Sequence, residues 1–349
     1  MHRDSVARTS GLLVVTFVAT FVLLVGGWAL IGRLGAGAGG RPSGSVAALP
    51  SGGSLPSGGS LVPGAAPSPG ATPPIAVDPR ASDAPTIVLT GAGDIGDCGS
   101  AGSAKTATLL GQETGWFFTA GDNAYPNGSR DDYQRCYDPT WGRYLDRTIL
   151  PAPGNHDWET KNAAGYRAYF GDRATPNGDT WYSMDAGAWH IVVLDSDCDG
   201  AGGCDADSPQ GRWLAADLRA HPAFCTMAIW HAPLFSSGLH GNDAGVRPFW
   251  EQLAGAHAEL VVNGHDHDYE RFAPQDPSGH EQRPGGIREI VAGTGGGDLR
   301  AFHGTQPNSE FRLAGSWGVL RLTLHPFNYD WEFLPTDGDI ADSGSTACR

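Results

Sequence analysis

An α/β fold with a buried sheet is predicted for residues 86–349, on three observations. Short β-branched or aromatic runs recur: "TIVLTGAGD", "GWFFTAGDN", "RTILPAPGNHD", "AWHIVVLDSD", "FCTMAIWHAP" and "AELVVNGHDH". Helix-like stretches lie between several of them, at Ser103–Glu113, Asp132–Asp146, Pro209–Ala220 and Arg247–Ala256. Near-continuous apolar strands alternating with helices indicate a sheet covered on both faces. The third observation is positional. The runs end in residues able to bind metals, at the strand end where open α/β sheets bind their ligands.

The last part of the chain reads differently. "IREIVAGTG", "SWGVLRLTLHP" and "NYDWEFLPTDG" are strands without helices between them. They are expected to form a second, partly antiparallel sheet.

Two segments precede this domain. Residues 12–31, "LLVVTFVATFVLLVGGWALI", carry no charge and are long enough, at ~1.5 Å per residue, to span a bilayer core of roughly 30 Å. Arg3 and Arg8 precede the run and put its start on the cytoplasmic side. The expectation is a retained anchor over residues 1–33. The alternative is a cleaved signal peptide and a secreted protein, with Ala36-Gly37-Ala38 as the small-residue cleavage site. Residues 34–85 are mostly Gly, Ala, Ser and Pro, with "LPSGGS" twice in tandem. That composition buries too little apolar surface to offset the entropy of ordering, so it reads as a disordered tether.

Charge and cysteines narrow the class. Five of the 23 basic and three of the 38 acidic residues precede residue 86, so the domain is more negative than the chain's net −15. That argues against a binder of duplex nucleic acid working by phosphate neutralisation, and none is expected. The six cysteines (Cys98, Cys136, Cys198, Cys204, Cys225, Cys348) include no C-x-x-C pair, which favours disulfides over a zinc knuckle. Cys198–Cys204 closes a short Gly-rich loop and is the first choice. Cys98–Cys136 and Cys225–Cys348 follow.

Five segments carry the chemistry: Asp94 in "GAGDIGD", Asp122 and Tyr125 in "AGDNAY", Asn155 and His156 in "PGNHD", His231 in "IWHAP", and His265 with His267 in "GHDHDYER". Singly, each has an ordinary explanation as a turn, a cap or a packed residue. Together they share one position relative to a strand. Residues two apart in extended chain point the same way, so the paired histidines reach one point or two adjacent points.

The series GD, GDxxY, GNH, H-x-P and GHxHxxER resembles the calcineurin-like metallophosphoesterases, and Tyr125, three residues after the second aspartate, marks the purple acid phosphatase-like branch. The resemblance covers residues 86–349. It implies a four-layer α/β/β/α sandwich and two metal ions. Fe(III) would be held by Asp94, Asp122, Tyr125 and His267. A divalent Fe, Zn or Mn ion would be held by Asp122, Asn155, His231 and His265, with Asp122 bridging. Phenolate and carboxylate are hard anionic donors suited to Fe(III), whereas imidazoles and an amide suit a divalent ion. The implied activity is phosphomonoester hydrolysis of a small-molecule substrate, with a metal-bound hydroxide attacking phosphorus in line. A phosphodiesterase or nucleotidase of the same fold, and a non-catalytic surface module, are the alternatives.

The resemblance also assigns His156 to the phosphoryl oxygens and His240, nine residues after His231, to phosphate binding and leaving-group protonation. Here the family's GNHE is GNHD, and Asp157 is expected to orient His156. Glu270 and Arg271 are expected to brace the histidine loop. "AGTGGGDL" lacks the P-loop lysine and reads as structural. His190, His221, His257 and His325 lie away from the motif-bearing strand ends and are assigned no role.

Overall fold

In the computed structural model, which describes residues 82–349, the strand-like runs fall into two sheets. The strands are β1 (Ile87–Ala92), β2 (Trp116–Ala120), β3 (Thr148–Ala152), β4 (Tyr182–Ala186), β5 (Trp189–Val193), β6 (Cys225–Ile229), β7 (Leu260–Asn263), β8 (Tyr269–Phe272), β9 (Arg288–Ala292), β10 (Ser309–Leu313), β11 (Gly318–Leu324), β12 (Asn328–Pro335) and β13 (Asp342–Ala347). The helices are α1 (Gly102–Leu110), α2 (Arg130–Asp132), α3 (Asn155–Trp158), α4 (Ala164–Phe170), α5 (Pro209–Ala220) and α6 (Arg247–Gly255).

One sheet runs β13-β12-β11-β1-β2-β3, the other β10-β8-β9-β7-β6-β5-β4. Each contains a parallel run, β1-β2-β3 in the first, ending at the edge, and β5-β6-β7-β9 in the middle of the second. Antiparallel strands complete the β1 side of the first sheet and both sides of the second. The C-terminal strands thus correct the expectation of a sheet of their own. β9 joins β7 in the second sheet, and β11 pairs with β1 in the first. The apolar patterns of β9 and β11 mark both as strands, but partners are chosen by register and core shape, which no local pattern encodes.

Three apolar cores order the layers. Leu89, Phe118 and Leu150 of the first sheet meet Ile191, Met227 and Leu260 of the second in the central core. Phe117 and Val319 face Leu110, Tyr166 and Phe170 outside the first sheet, and Val192 and Ala228 face Leu214, Phe249 and Leu253 outside the second. Helices, sheet, sheet and helices therefore follow one another. Strand β5 shows why the runs lack alternation: Ile191 and Val193 enter the central core while Val192 enters the outer one. Each such side chain contributes about 1.5–3 kcal/mol by leaving water, so both faces of the strand favour burial.

Helices α5 and α6 match their sequence limits closely. The stretch Asp132–Asp146 does not form one helix. Helix α2 passes into a π-helical turn at Tyr133–Tyr137, and 3₁₀ turns follow at Trp141–Arg147. Pro139 has no N–H to donate and breaks the ladder there. Tyr133, Tyr137 and Trp141 are nonetheless all buried in one outer core, which explains the helical apolar spacing.

The three disulfides are those expected, Cys98–Cys136, Cys198–Cys204 and Cys225–Cys348. The last closes a separation of 123 residues and ties the start of β6 to the residue following β13. Replacing Cys225 and Cys348 by Ser is expected to cost about 2–5 kcal/mol, a large share of a typical domain's ~5–15 kcal/mol. Urea denaturation of the oxidised double variant checks this. An unchanged midpoint and slope would show that the bridge contributes nothing. Among the described residues no helix is long and apolar enough to cross a membrane; the apolar run 12–31 lies outside them.

Candidate metal centre

The parallel strands of both sheets end at one place, and their next residues converge there. Asp94 follows β1, Asp122 and Tyr125 follow β2, and Asn155 follows β3. His231 follows β6, and His265 and His267 follow β7. Three of these residues, Asp94 (φ 60°), Asp122 (φ 49°) and His265 (φ 72°), hold left-handed backbone that side chains other than glycine seldom adopt. Such strain persists where the surrounding structure imposes it, typically at functional sites. Close approach needs glycine at two neighbours. A Cβ on Gly154 would stand 2.2 Å from Asp122 Oδ1, and one on Gly121, at φ +86°, 2.4 Å from His231 Nδ1.

Two donor sets meet around Asp122. In the first, Tyr125 Oη lies 2.8 Å from Asp94 Oδ1, 3.2 Å from Asp122 Oδ2 and 3.1 Å from His267 Nε2. His267 Nε2 is 3.2 Å from Asp94 Oδ1. In the second, His231 Nε2 is 3.2 Å from the same Asp122 Oδ2 and 3.1 Å from His265 Nδ1. The other oxygen of Asp122 accepts the His156 N–H at 2.8 Å, which leaves Oδ2 facing both sets.

The hydrogen bonds behind these atoms show what fits between them. His231 Nδ1–H donates to Ala120 O at 2.8 Å, and His267 Nδ1–H donates to Asp298 O at 2.7 Å. Each bond fixes the ring's orientation and turns Nε2 towards a carboxylate, where a proton or a metal ion must stand. Lone pairs set against buried carboxylates repel unless a cation stands between them. The donors therefore fit metal ions. The protons of the metal-free pocket report the same field. Burial opposes the charged form of His231, yet Asp122 and Asp94 raise its pKa to about 10. Burial, with His231 and His240 nearby, depresses His265 to about 4. Asp94 stays well below the usual carboxylate range because His267 and His231 outweigh its burial. Burial and the two carboxylates push Tyr125 well above 10, so its phenolate form requires a strong positive charge beside it.

Six of the seven expected ligands thus come together. Asn155 is placed between Gly154 and His156, both in touch with Asp122, but it is exposed and its amide makes no hydrogen bond. His156 packs against Tyr125 with ring centroids 4.5 Å apart and planes tilted by 57°, donates Nδ1–H to Pro126 O, and brings Nε2 to 3.9 Å from Asp122 Oδ2. Asp157 does not orient it. Buried, Asp157 instead accepts from Tyr133 Oη at 2.6 Å, Asn123 Nδ2 at 2.9 Å and Gly154 N at 3.0 Å, fixing the loop that follows β3.

His240 packs its ring 4.3 Å from that of His265. Sequence reasoning missed what places it there. Asp266 accepts the His240 and Gly241 N–H groups at 2.7 and 3.2 Å, and Glu270 accepts the Ser237 N–H and hydroxyl at 2.7 and 2.6 Å. Glu270 therefore braces the loop carrying His240, whereas Arg271 ties β8 to Asp342 of β13. Arg300 also escaped notice: its Nη1 donates to His240 Nε2 at 2.5 Å, and its N–H to His267 O at 3.1 Å. "AGTGGGDL" supplies the Asp298 carbonyl that holds His267, in keeping with a structural reading.

This fold and this convergence of donors define a metallophosphoesterase, and the chain belongs to the calcineurin-like phosphoesterase family, whose model matches residues 87–269. Similarity to purple acid phosphatases supports the purple acid phosphatase-like branch. An uncharacterised Mycobacterium tuberculosis protein is 31% identical over 184 residues, covering 44% of this chain and 34% of that protein. Purple acid phosphatase 21 of Arabidopsis thaliana is 29% identical over 238 residues, covering 60% of this chain and 51% of the relative. The chain thus spans about half or less of these relatives' length. In fold alone it is similar to purple acid phosphatase PPD1 from yellow lupin (Lupinus luteus) seeds, with TM-score 0.61, 17% identity, and coverage of 76% of this chain and 54% of that one.

Proposed function

We propose that the protein is a phosphoric ester hydrolase with two metal ions, acting on small phosphomonoesters. One observation carries the reading. Two donor sets, one phenol-containing and one imidazole-rich, share a single carboxylate oxygen, Asp122 Oδ2. Asp94, Tyr125 and His267 with Asp122 match the hard donor set of Fe(III). His231 and His265 with Asp122, joined by Asn155 after a turn of its exposed side chain, match a divalent Fe, Zn or Mn ion. Bound there, the ions would supply the Lewis acidity that activates a water and neutralises phosphoryl oxygens. The chain's own residues do the rest. Pro126 O holds the His156 ring with Nε2 turned towards the shared Asp122, where the imidazolium form would give a hydrogen bond to a phosphoryl oxygen. His240 and Arg300 add an imidazole and a guanidinium for the anionic substrate and its leaving group.

Export and membrane tethering belong to the same proposal. They are supported by the uncharged run 12–31 behind Arg3 and Arg8, and by the pairing of all six cysteines. The functional test compares hydrolysis of p-nitrophenyl phosphate with that of its bis ester on metal-replete protein. Faster monoester turnover is expected. Metal-replete protein inert towards both would favour a non-catalytic module.

The iron assignment has its own test. A phenolate bound to Fe(III) gives a charge-transfer band in the visible. Oxidised, iron-loaded protein is expected to show it, and Tyr125→Phe to lose it while retaining iron, since the substitution keeps the ring and removes only the oxygen. A colourless iron-loaded wild type would overturn the Tyr125 assignment and leave a binuclear site of other metals.

A further inference from the structure

A second cluster of metal-binding side chains lies at the opposite end of the second sheet. His190 is the second residue of β5, and its register partner on the edge strand β4 is Asp185. His221 caps the C-terminal end of α5, and Asp217 lies one turn earlier in the same helix. The centre described above follows the other end of the strands. At ~3.3 Å per residue, β5 alone separates the two by on the order of 10 Å.

The two imidazoles are arranged alike. Their rings are parallel, 8° apart, with centroids 5.0 Å distant. His190 Nε2 lies 2.8 Å from Asp217 Oδ2, and His221 Nε2 3.9 Å from Asp217 Oδ1. On the opposite edges, His190 Nδ1 lies 2.8 Å from Asp185 Oδ1 and His221 Nδ1 3.5 Å from Asp185 Oδ2. One carboxylate thus stands behind both rings and the other in front. Asp217 is itself held by the Ser183 hydroxyl at 2.8 Å. A buried imidazole that gives one N–H to an anchored carboxylate and turns its other nitrogen towards a second carboxylate has the geometry of a carboxylate–histidine–metal relay.

We propose that Asp185, His190 and His221 form an additional site for a transition-metal dication, with Zn²⁺ the best fit. The donor atoms of these three residues lie within 4.8 Å of one another. Zn²⁺ sits ~2.0–2.2 Å from nitrogen and carboxylate oxygen, so the site closes when His221 moves inward by about 1 Å. His221 and Asp185 are free to make that move, with side chains 45% and 62% exposed, while His190 is fixed at 1%. Two imidazoles and one carboxylate select Zn²⁺, Cu²⁺ or Ni²⁺ over Mg²⁺ and Ca²⁺. Three protein ligands leave the fourth position to water. A proton on His190 would satisfy His190 between its two carboxylates and leave His221 at 3.5 and 3.9 Å from the same pair, whereas an ion would draw His221 in as a ligand. The bound ion would pin the edge strand β4 and its neighbour β5 to the end of α5, a structural clip remote from hydrolysis.

The test uses the full-length chain in detergent, stripped of metal and equilibrated with Zn²⁺ buffered at micromolar free concentration. Wild type is expected to retain one Zn²⁺ per chain more than His221→Ala and Asp185→Asn, both surface changes that leave the fold intact. Zn²⁺ should raise the melting temperature of wild type more than that of either variant, and p-nitrophenyl phosphate hydrolysis should be equal in all three. Equal zinc contents would overturn the site and leave a proton as its occupant. The reading is a difference between chains, so it holds whatever number of ions the catalytic centre takes up, including none.

Discussion

Asp122→Ala is expected to lose at least one metal ion and to slow hydrolysis by about three orders of magnitude or more, beyond the ~10²–10³-fold typical of losing one transition-state donor. The reason is the sharing of one oxygen. Asp122 Oδ2 faces Tyr125 Oη on one side and His231 Nε2 on the other, at 3.2 Å each, so neither ion would keep its full set. Oδ1 adds to the loss, because its removal frees the His156 N–H and with it the loop after β3. Metal analysis and initial rates on the same sample check this. Rates within a few-fold of wild type with both metals retained would show that Asp122 is not the bridge. Asp122→Asn refines the result. It keeps the shape and an acceptor but removes the charge, and should retain metal better than Ala while staying slow.

His240→Ala is expected to slow esters with poor leaving groups by ~10²–10⁴-fold, the usual value of a positioned general acid, and p-nitrophenyl phosphate far less. The structure adds a pH dependence. Burial and the Arg300 guanidinium push the His240 pKa below the ordinary imidazole value, against the pull of Asp266. Arg300 donates to Nε2, so this nitrogen carries no proton in the pair described. A lowered pKa means that the protonated donor is populated at low pH and lost as pH rises through that value. The gap between wild type and variant on poor leaving groups should therefore be widest in acid and narrow towards neutrality. Equal losses on both substrates at every pH would assign His240 to phosphate binding alone. Arg300→Gln should then lower affinity for inorganic phosphate in competition assays.

The centre was legible to the degree that its parts are local. A ligand just after a parallel strand is visible in a short window, because the apolar run, the glycine and the polar residue are contiguous. "VVNGHDH" contains the strand β7, its end and both histidines. The supporting groups were hidden for the opposite reason. Asp266 stands between two candidate ligand histidines and looks like one more acid, yet its oxygens hold backbone N–H groups of a loop more than twenty residues earlier. Arg300 reaches His240 across 60 residues of sequence, from a segment with no periodicity. Asp157 stands where the family has its acid, but its carboxylate is taken up by Gly154, Asn123 and Tyr133, contacts that no short window of sequence shows.

Strands show the same limit. The central ones declare themselves by composition, whereas β13, "DSGSTA", has a single apolar residue and exists because β12 offers it a paired edge. Helix α5, with Ser208 capping and Pro209 in its first turn, was readable to the residue.

Neither half of the domain owns the centre. Asp94, Asp122, Tyr125 and Asn155 hang from one sheet, and His231, His265 and His267 from the other. Each donor set draws on both, so an ion caught here would act as a rivet through the seam between two half-domains. The free energy of capture would then count towards their docking, about 4 kcal/mol when free metal exceeds its dissociation constant a thousandfold. A chain whose halves met out of register would have no place to keep the ions. Metal retention would thus serve as a proofreading step for assembly, and the metal-starved chain would open first at the mouth of its own active site.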